Sequence, residues 1–235
     1  MPRIALAFLI ASFAGSVGVA RAQCPPNYVG SFLTTPSGTP IVASVHRDSM
    51  CNSPHDCRWH SSWDHAAGQA ACDANTACFT EVPDAGDVGQ FTADDYVLTG
   101  PASPNPISFV VQMHVSGTTG QGCTMDCSSG ICQTVCNYGS LSASLKEGAQ
   151  TSSAPSAPSL NTNLQLSLAK SVGEHFQLGM KLQARAACNA LAQVAYDLTF
   201  FLPPEYGVTS CYGYSMPAPT AALRASWGRL KTLYR

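Results

Sequence analysis

The sequence predicts an all-β protein, an antiparallel β-sandwich of jelly-roll or Ig-like type, stapled by disulfides. Several segments alternate apolar and polar residues with period two, which is the mark of a strand with one buried face. Clusters of Gly, Pro, Ser and Thr separate these segments, so the strands are joined by turns. Eleven cysteines follow an export-type leader, and thiols that reach an oxidising compartment pair by default.

Met1 and Arg3 open onto the apolar run Ile4 to Ala14, and Ala20-Arg21-Ala22 supplies the small-x-small pattern of a signal-peptidase site. The expected organisation is a signal peptide over 1–22, a β-sandwich domain over 23–215 and a flexible basic tail over 216–235. Gln23 stands where a lipoprotein signal needs a small residue before Cys24, so a soluble product is expected over a lipid-tethered one. No stretch after the leader approaches the roughly 18 consecutive apolar residues of a membrane helix. Extracellular or periplasmic localisation follows, with no transmembrane span in the mature chain. Residues 23–215 hold all 14 acids and six of the 12 basic residues, whereas 216–235 carry Arg224, Arg229, Lys231 and Arg235 with no acid. An acidic body lacks the broad basic face of a nucleic-acid binder.

Along the body, 23–40 is an irregular lead-in with one short strand around Tyr28 to Leu33. Ile41-Val42-Ala43-Ser44-Val45 alternates and reads as the next strand. Ile107 to Ser116 is the clearest case, with Ile107, Phe109, Val111, Met113 and Val115 on one face and Ser108, Gln112, His114 and Ser116 on the other. Leu141, Ala143 and Leu145 follow the same rule, as do Leu164, Leu166 and Leu168. Phe176, Leu178, Met180, Leu182, Ala184 and Ala186 continue it. The run from Leu191 to Phe201 satisfies helical spacing too, but Val194, Tyr196, Leu198 and Phe200 alternate, and Pro203-Pro204 ends it sharply, which favours a strand. Thr151 to Ser159, with Pro155 and Pro158, reads as a low-complexity connection.

The cysteines Cys24, Cys51, Cys57, Cys72, Cys78, Cys123, Cys127, Cys132, Cys136, Cys188 and Cys211 are all disulfide candidates, although spacing does not fix connectivity and an odd number leaves one over. Cys51–Cys57, Cys72–Cys78 and Cys188–Cys211 are the local pairs to expect. Cys123, Cys127, Cys132 and Cys136 lie within fourteen residues, a density that in a cytosolic protein suggests zinc or iron–sulfur. Export and the absence of C-x2-C knuckles favour two disulfides stapling a long loop at one end of the sandwich.

Three further groups are candidates for chemistry. His55, His60 and His65 lie among Asp56, Trp59, Trp63 and Asp64, a density of imidazoles and carboxylates that suits a transition metal, and the two tryptophans offer a carbohydrate-stacking platform, although a polar strand and turn beside two disulfides is the plainer reading. A spacing of five switches strand faces at each step, so His60 points away from His55 and His65. Glu81, Asp84, Asp87, Asp94 and Asp95, with interspersed glycines, have the ligand types of a calcium loop but not an EF-hand order, and a solvated acidic turn is the plainer reading. The chain has no G-x-S-x-G elbow, H-E-x-x-H helix, Walker loop or dinucleotide fingerprint, so no catalytic residue, cofactor or metal is assigned.

The stretch F-Q-L-G-M-K-L-Q-A-R-A-A-C-N-A-L-A-Q-V-A-Y-D-L-T-F-F-L-P-P-E-Y-G-V-T-S-C-Y-G-Y resembles the closing strands of exported bacterial proteins of the PEP-CTERM-type surface group. The matching positions are Asp197, Thr199, Phe201, Leu202, Pro203, Gly207, Val208, Ser210 and Gly213. A-A-G-Q-A-A-C-D-A and D-V-G-Q-F-T-A-D-D-Y-V-L-T-G-P resemble that group's opening strands. The resemblance, over roughly 41–214, implies a β-sandwich surface protein with no assigned catalytic residues. This chain is richer in cysteine and lacks the group's terminal sorting signal. The amphipathic ending, with Trp227 and Leu230 opposite Arg229 and Lys231, suggests a membrane-surface or sorting contact. The expectation is an exported, non-catalytic surface or envelope protein of structural or adhesive type. A carbohydrate-binding module and an extracellular hydrolase are the alternatives, with a cell-surface glycan or protein as the partner.

Overall fold

The computed structural model describes residues 24–25, 27–30, 39–41, 45–50, 56–77, 86–126, 130–187 and 189–217, with side chains placed within 24–25, 60–75, 89–123, 125, 130–187 and 189–217. The strands among these residues are, in chain order, β1 (Asn27–Gly30), β2 (Thr39–Ile41), β3 (Val45–Met50), β4 (Asp56–Asp64), β5 (Gln69–Ala77), β6 (Gly86–Thr99), β7 (Ile107–Thr119) and β8 (Gln121–Asp126). They continue with β9 (Gln133–Tyr138), β10 (Ser140–Glu147), β11 (Gln150–Ala157), β12 (Ser159–Lys170), β13 (His175–Ala186), β14 (Leu191–Phe201), β15 (Gly207–Ser210) and β16 (Ser215–Met216). The chain is all-β and antiparallel, as the alternation requires, and the segment over 191–201 is a strand.

Two large sheets face each other. One runs β11-β10-β13-β6-β1-β2, with β15 and β16 added at β6, and the other runs β12-β7-β14-β5-β4-β3. Taking β5, β6, β7, β10, β11, β12, β13 and β14 as eight successive strands, the sheets read 1-8-3-6 and 2-7-4-5. Every connection among them crosses between sheets except the β10–β11 hairpin. That is the double Greek key of a jelly roll, which decides against the Ig-like alternative. β8 and β9 form a separate two-stranded ribbon inserted between β7 and β10.

A single core lies between the sheets. Phe109, Val111, Met113 and Val115 from β7 and Leu164, Leu166 and Leu168 from β12 meet Leu178, Met180 and Leu182 from β13 and Leu141 and Leu145 from β10. One end is aromatic: Tyr96 stacks on Phe176 at 5.8 Å and tilts against Phe200 at 5.1 Å, and Tyr214 closes on Phe200 at 5.3 Å. Fully burying a large apolar side chain stabilises by about 1.5–3 kcal/mol, so this interior drives the two sheets together.

The structure corrects three expectations. Ile41 to Val45 is not one strand: Ile41 ends β2 in one sheet and Val45 begins β3 in the other. Five alternating residues are too short a run to reveal a crossing between layers. Thr151 to Ala157 is the strand β11 rather than a connection; it sits at the end of its sheet, where Pro155 removes no needed ladder bond, and its pairing with β10 is irregular between Leu141 and Ala143. Cys188–Cys211 is not a pair, because Cys211 is bonded to Cys24 with Cα atoms 5.6 Å apart across 187 residues.

Of the remaining cysteine positions, Cys123 and Cys136 face each other in the β8–β9 register and are disulfide-bonded, and Cys132 is disulfide-bonded as well. The Cys123–Cys136 bond is one of the two disulfides expected within this cluster, and it closes the ribbon. Cys72 is buried in the core. Cys51, Cys78, Cys127 and Cys188 lie outside the described residues, and of Cys57 only the backbone, in β4, is described, so the local pairs Cys51–Cys57 and Cys72–Cys78 fall outside them too. No helix among the described residues is long and apolar enough to cross a membrane.

Candidate functional site

Alternation sends every second residue of the six-stranded sheet outward, and antiparallel register lines those side chains up in rows across the strands. The middle row is Ser62, Ala71, Ala195, Ser116 and Asn161. It is flanked by His60, Asp73, Gln193, Thr118 and Ser159 on one side, and by Asp64, Gln69, Asp197, His114 and Asn163 on the other. Small side chains between two rows of longer polar ones leave a trough in the sheet face.

Two adjoining clefts occupy it. The larger, about 700 Å³, has Ala71, Ala195 and Ser116 as its floor and Asp73, His114, Thr118, Asn161 and Gln193 around it. The smaller, about 340 Å³, shares Ala71 and Ala195 and extends toward Ser62, Asp64, Gln69 and Asp197. Hydrogen bonds along the rows fix the flanking groups: His60 Nδ1 donates to Asp73 Oδ1 at 2.5 Å, and Gln69 Nε2 to Asp197 Oδ1 at 2.6 Å. His114 Nδ1 lies 2.9 Å from Asn163 Oδ1, and beyond it Gln165 Nε2 donates to Gln112 Oε1 at 2.7 Å. Asp64 is held by the backbone N–H of Ala67 at 3.1 Å. The result is an ordered field of donors and acceptors that leaves the small floor open.

A second polar group lies inside. The turn between β4 and β5 requires Gly68, whose φ is +69° and whose Cβ would come within 2.8 Å of the Tyr214 ring. That turn places His65 in the interior, with Nδ1 3.6 Å from Asp94 Oδ2 and its ring stacked at 4.8 Å on Tyr212. Asp94 Oδ1 accepts from the N–H groups of Asp95 and Tyr212, while Oδ2 has no hydrogen-bond partner among the described residues. Burial pushes the Asp94 carboxyl up to about 6, against hydrogen bonds from Ser210, Tyr212 and Asp95 that favour its charge. Burial likewise pushes His65 down to about 4, opposed by the attraction of Asp64. Nearby, Tyr212 donates through its hydroxyl to Pro25 O at 2.6 Å, beside the Cys24–Cys211 bridge. The pair thus sits under a turn that ties the N-terminal segment to the C-terminal hairpin.

Several sequence candidates move. Trp63, offered as a contact platform, is only 4% exposed and belongs to the core, because the odd-numbered residues of this part of β4 face inward. Trp59 pairs through its backbone with Ser49 and Ala74, and its side chain lies outside the described ones. His60 points outward and His65 is buried, so they do not converge; His55 lies outside the described residues. Asp94 and Asp95 are in the middle of β6, not in a calcium loop, with Asp94 buried and Asp95 bonded through Oδ2 to His175 at 2.6 Å. Asp87 is also in that strand, while Glu81 and Asp84 lie outside the described residues. Among the described residues no three His, Cys, Asp or Glu side chains converge as a metal site. The trough is not legible in the sequence, since Ala71 and Ala195 become neighbours only through β5–β14 pairing; the one local signal is the outward set Gln193, Ala195 and Asp197 of β14. No family model, curated protein or solved structure matches the chain.

Proposed function

We propose that this is an exported, non-catalytic carbohydrate-binding protein of the adhesive or surface type, and that the outward face of its six-stranded sheet is the working surface. The observation that carries the reading is the small-residue floor of Ala71, Ala195 and Ser116 between hydrogen-bonded polar rows. Sugar hydroxyls each donate and accept, so a ligand bearing many of them suits a field of amides, hydroxyls and carboxylates. Paired sites on a rigid sheet are pre-organised, which spares the ordering cost of binding. Disulfides support the exported setting, because such bonds persist in oxidising compartments. A resemblance to exported surface proteins points the same way.

The test is affinity electrophoresis of the secreted protein through gels containing individual soluble polysaccharides. Ala71→Leu and Ala195→Leu fill the floor from outside without touching the core. Both variants should melt as the parent does and lose retention in whichever polysaccharide retards it. Retention unaffected by both substitutions would place the binding surface elsewhere.

A further inference from the structure

Charge divides between the two outer faces of the jelly roll. On the six-stranded sheet the described outward side chains include Asp64, Asp73 and Asp197 and no lysine or arginine. The opposite sheet presents Lys146, Lys181 and Arg185 outward, and its outward carboxylate Asp95 is bonded to His175. The three carboxylates are spread along the trough rather than gathered at one point. Asp64 and Asp197 stand on either side of Gln69, two strand spacings or about 9–10 Å apart. Asp73 opposes Gln193, four residues along β14 from Asp197, a distance of roughly 14 Å. Row bonds use Oδ1 of Asp73 and Oδ1 of Asp197, and these bonds fix the carboxyl groups while leaving Oδ2 of each outside them. Arg58 is the nearest arginine or lysine position in register, one row beyond Asp73 and opposite Asn75, while His60 and His114 stand in the rows themselves, opposite Asp73 and Asp197.

Resting on the carbohydrate reading above, we infer that the trough selects glycans that carry free amino groups, with the sugar hydroxyls on the amide rows and successive ammonium groups on the spaced carboxylates. A fixed carboxylate beside a ligand ammonium gains a charge-assisted hydrogen bond, roughly twice as strong as a neutral one. The same carboxylates repel uronate or sulfate polymers, so the surface discriminates by sign as well as by shape. A basic peptide is the less suitable ligand, because peptides add to sheets at an edge through backbone bonds, whereas the trough lies on a face.

The experiment compares retention by a soluble β-linked glucosamine polymer, its N-acetylated form of matched length, and polygalacturonate, at a mildly acidic pH where the amines are protonated. The amino polymer should bind at least about tenfold more tightly than the acetylated one, and polygalacturonate should not bind. Asp73→Asn with Asp197→Asn should abolish that preference and flatten its dependence on salt, while Lys181→Gln with Arg185→Gln on the other face should change neither. Equal binding of the amino and acetylated polymers, or a preference that survives the double Asp→Asn change, overturns the amino-glycan assignment and leaves the carbohydrate reading standing. Binding of none of these polymers, nor of any neutral polysaccharide in the wider panel, overturns both.

Discussion

His65 and Asp94 are the two residues whose environment departs furthest from water, and their effects on stability oppose each other. Asp94, raised to about 6 in the fold, contributes stability that is complete below its unfolded value near 4 and is lost as pH rises through 6. His65, lowered to about 4 from 6.5, contributes stability that is present above 6.5 and is lost as pH falls through 4. Between those limits the two slopes run in opposite directions, so the native chain should show a nearly flat stability profile. Asp94→Asn leaves only the histidine slope, and its stability should fall on acidification by on the order of 2 kcal/mol. His65→Gln leaves only the carboxylate slope and should instead gain stability by a similar amount. Urea midpoints for the three proteins across the window check this; parallel profiles would mean that the two groups do not titrate as a buried pair. The setting of Asp94 also departs from the acidic turn that the sequence predicts. Polar Gln90, Thr92 and Asp94 occupy the inward positions of β6, so the stretch reads as a solvated turn, whereas Ser61, Tyr196 and the Tyr212 backbone bond to these side chains in the interior and leave Asp94 Oδ2 without a hydrogen-bond partner among the described residues.

Individual elements were readable where one face is buried and the other is wet. β7 and β13 meet that condition along most of their length, and their alternation shows in the residues themselves. β11 was hidden because an edge strand tolerates the proline and serines that elsewhere signal a turn. The β8–β9 ribbon was legible only as a cysteine cluster. It pairs with neither main sheet, and Met125, Ile131, Val135 and Tyr138 are exposed on it and the loop that joins its strands. A two-stranded ribbon is marginal by itself, so the Cys123–Cys136 bond should hold it together. Replacing both cysteines with Ser should accelerate amide exchange throughout 121–138 and leave exchange in β7 and β13 unchanged. Removing Cys24–Cys211 should act differently, because it closes a loop of 187 residues, worth about 5 kcal/mol in the chain-entropy model against about 3 kcal/mol for the ribbon bond. Thermal melts of the two double variants separate the cases, with the larger loss of midpoint expected for the Cys24 and Cys211 pair.

For the whole molecule, the jelly roll makes a surface that no single strand encodes. Six of its seven principal connections cross between layers, and this wrapping brings Ala71 of β5 beside Ala195 of β14, and Ala195 beside Ser116 of β7. The sandwich was foreseeable from alternation, but the strand order, and with it the trough, was not, because pairing between distant segments leaves no local periodicity. The most direct test is a titration of isotope-labelled protein with the polysaccharide that retards it in the gel, followed by amide chemical shifts. Binding at the trough should move the amides of 69–73, 114–118 and 193–197 in concert and leave β10, β13 and the β8–β9 ribbon unmoved. Shifts gathered on the ribbon or on the eight-stranded sheet, with those three segments silent, would contradict the assignment of the six-stranded face as the binding surface.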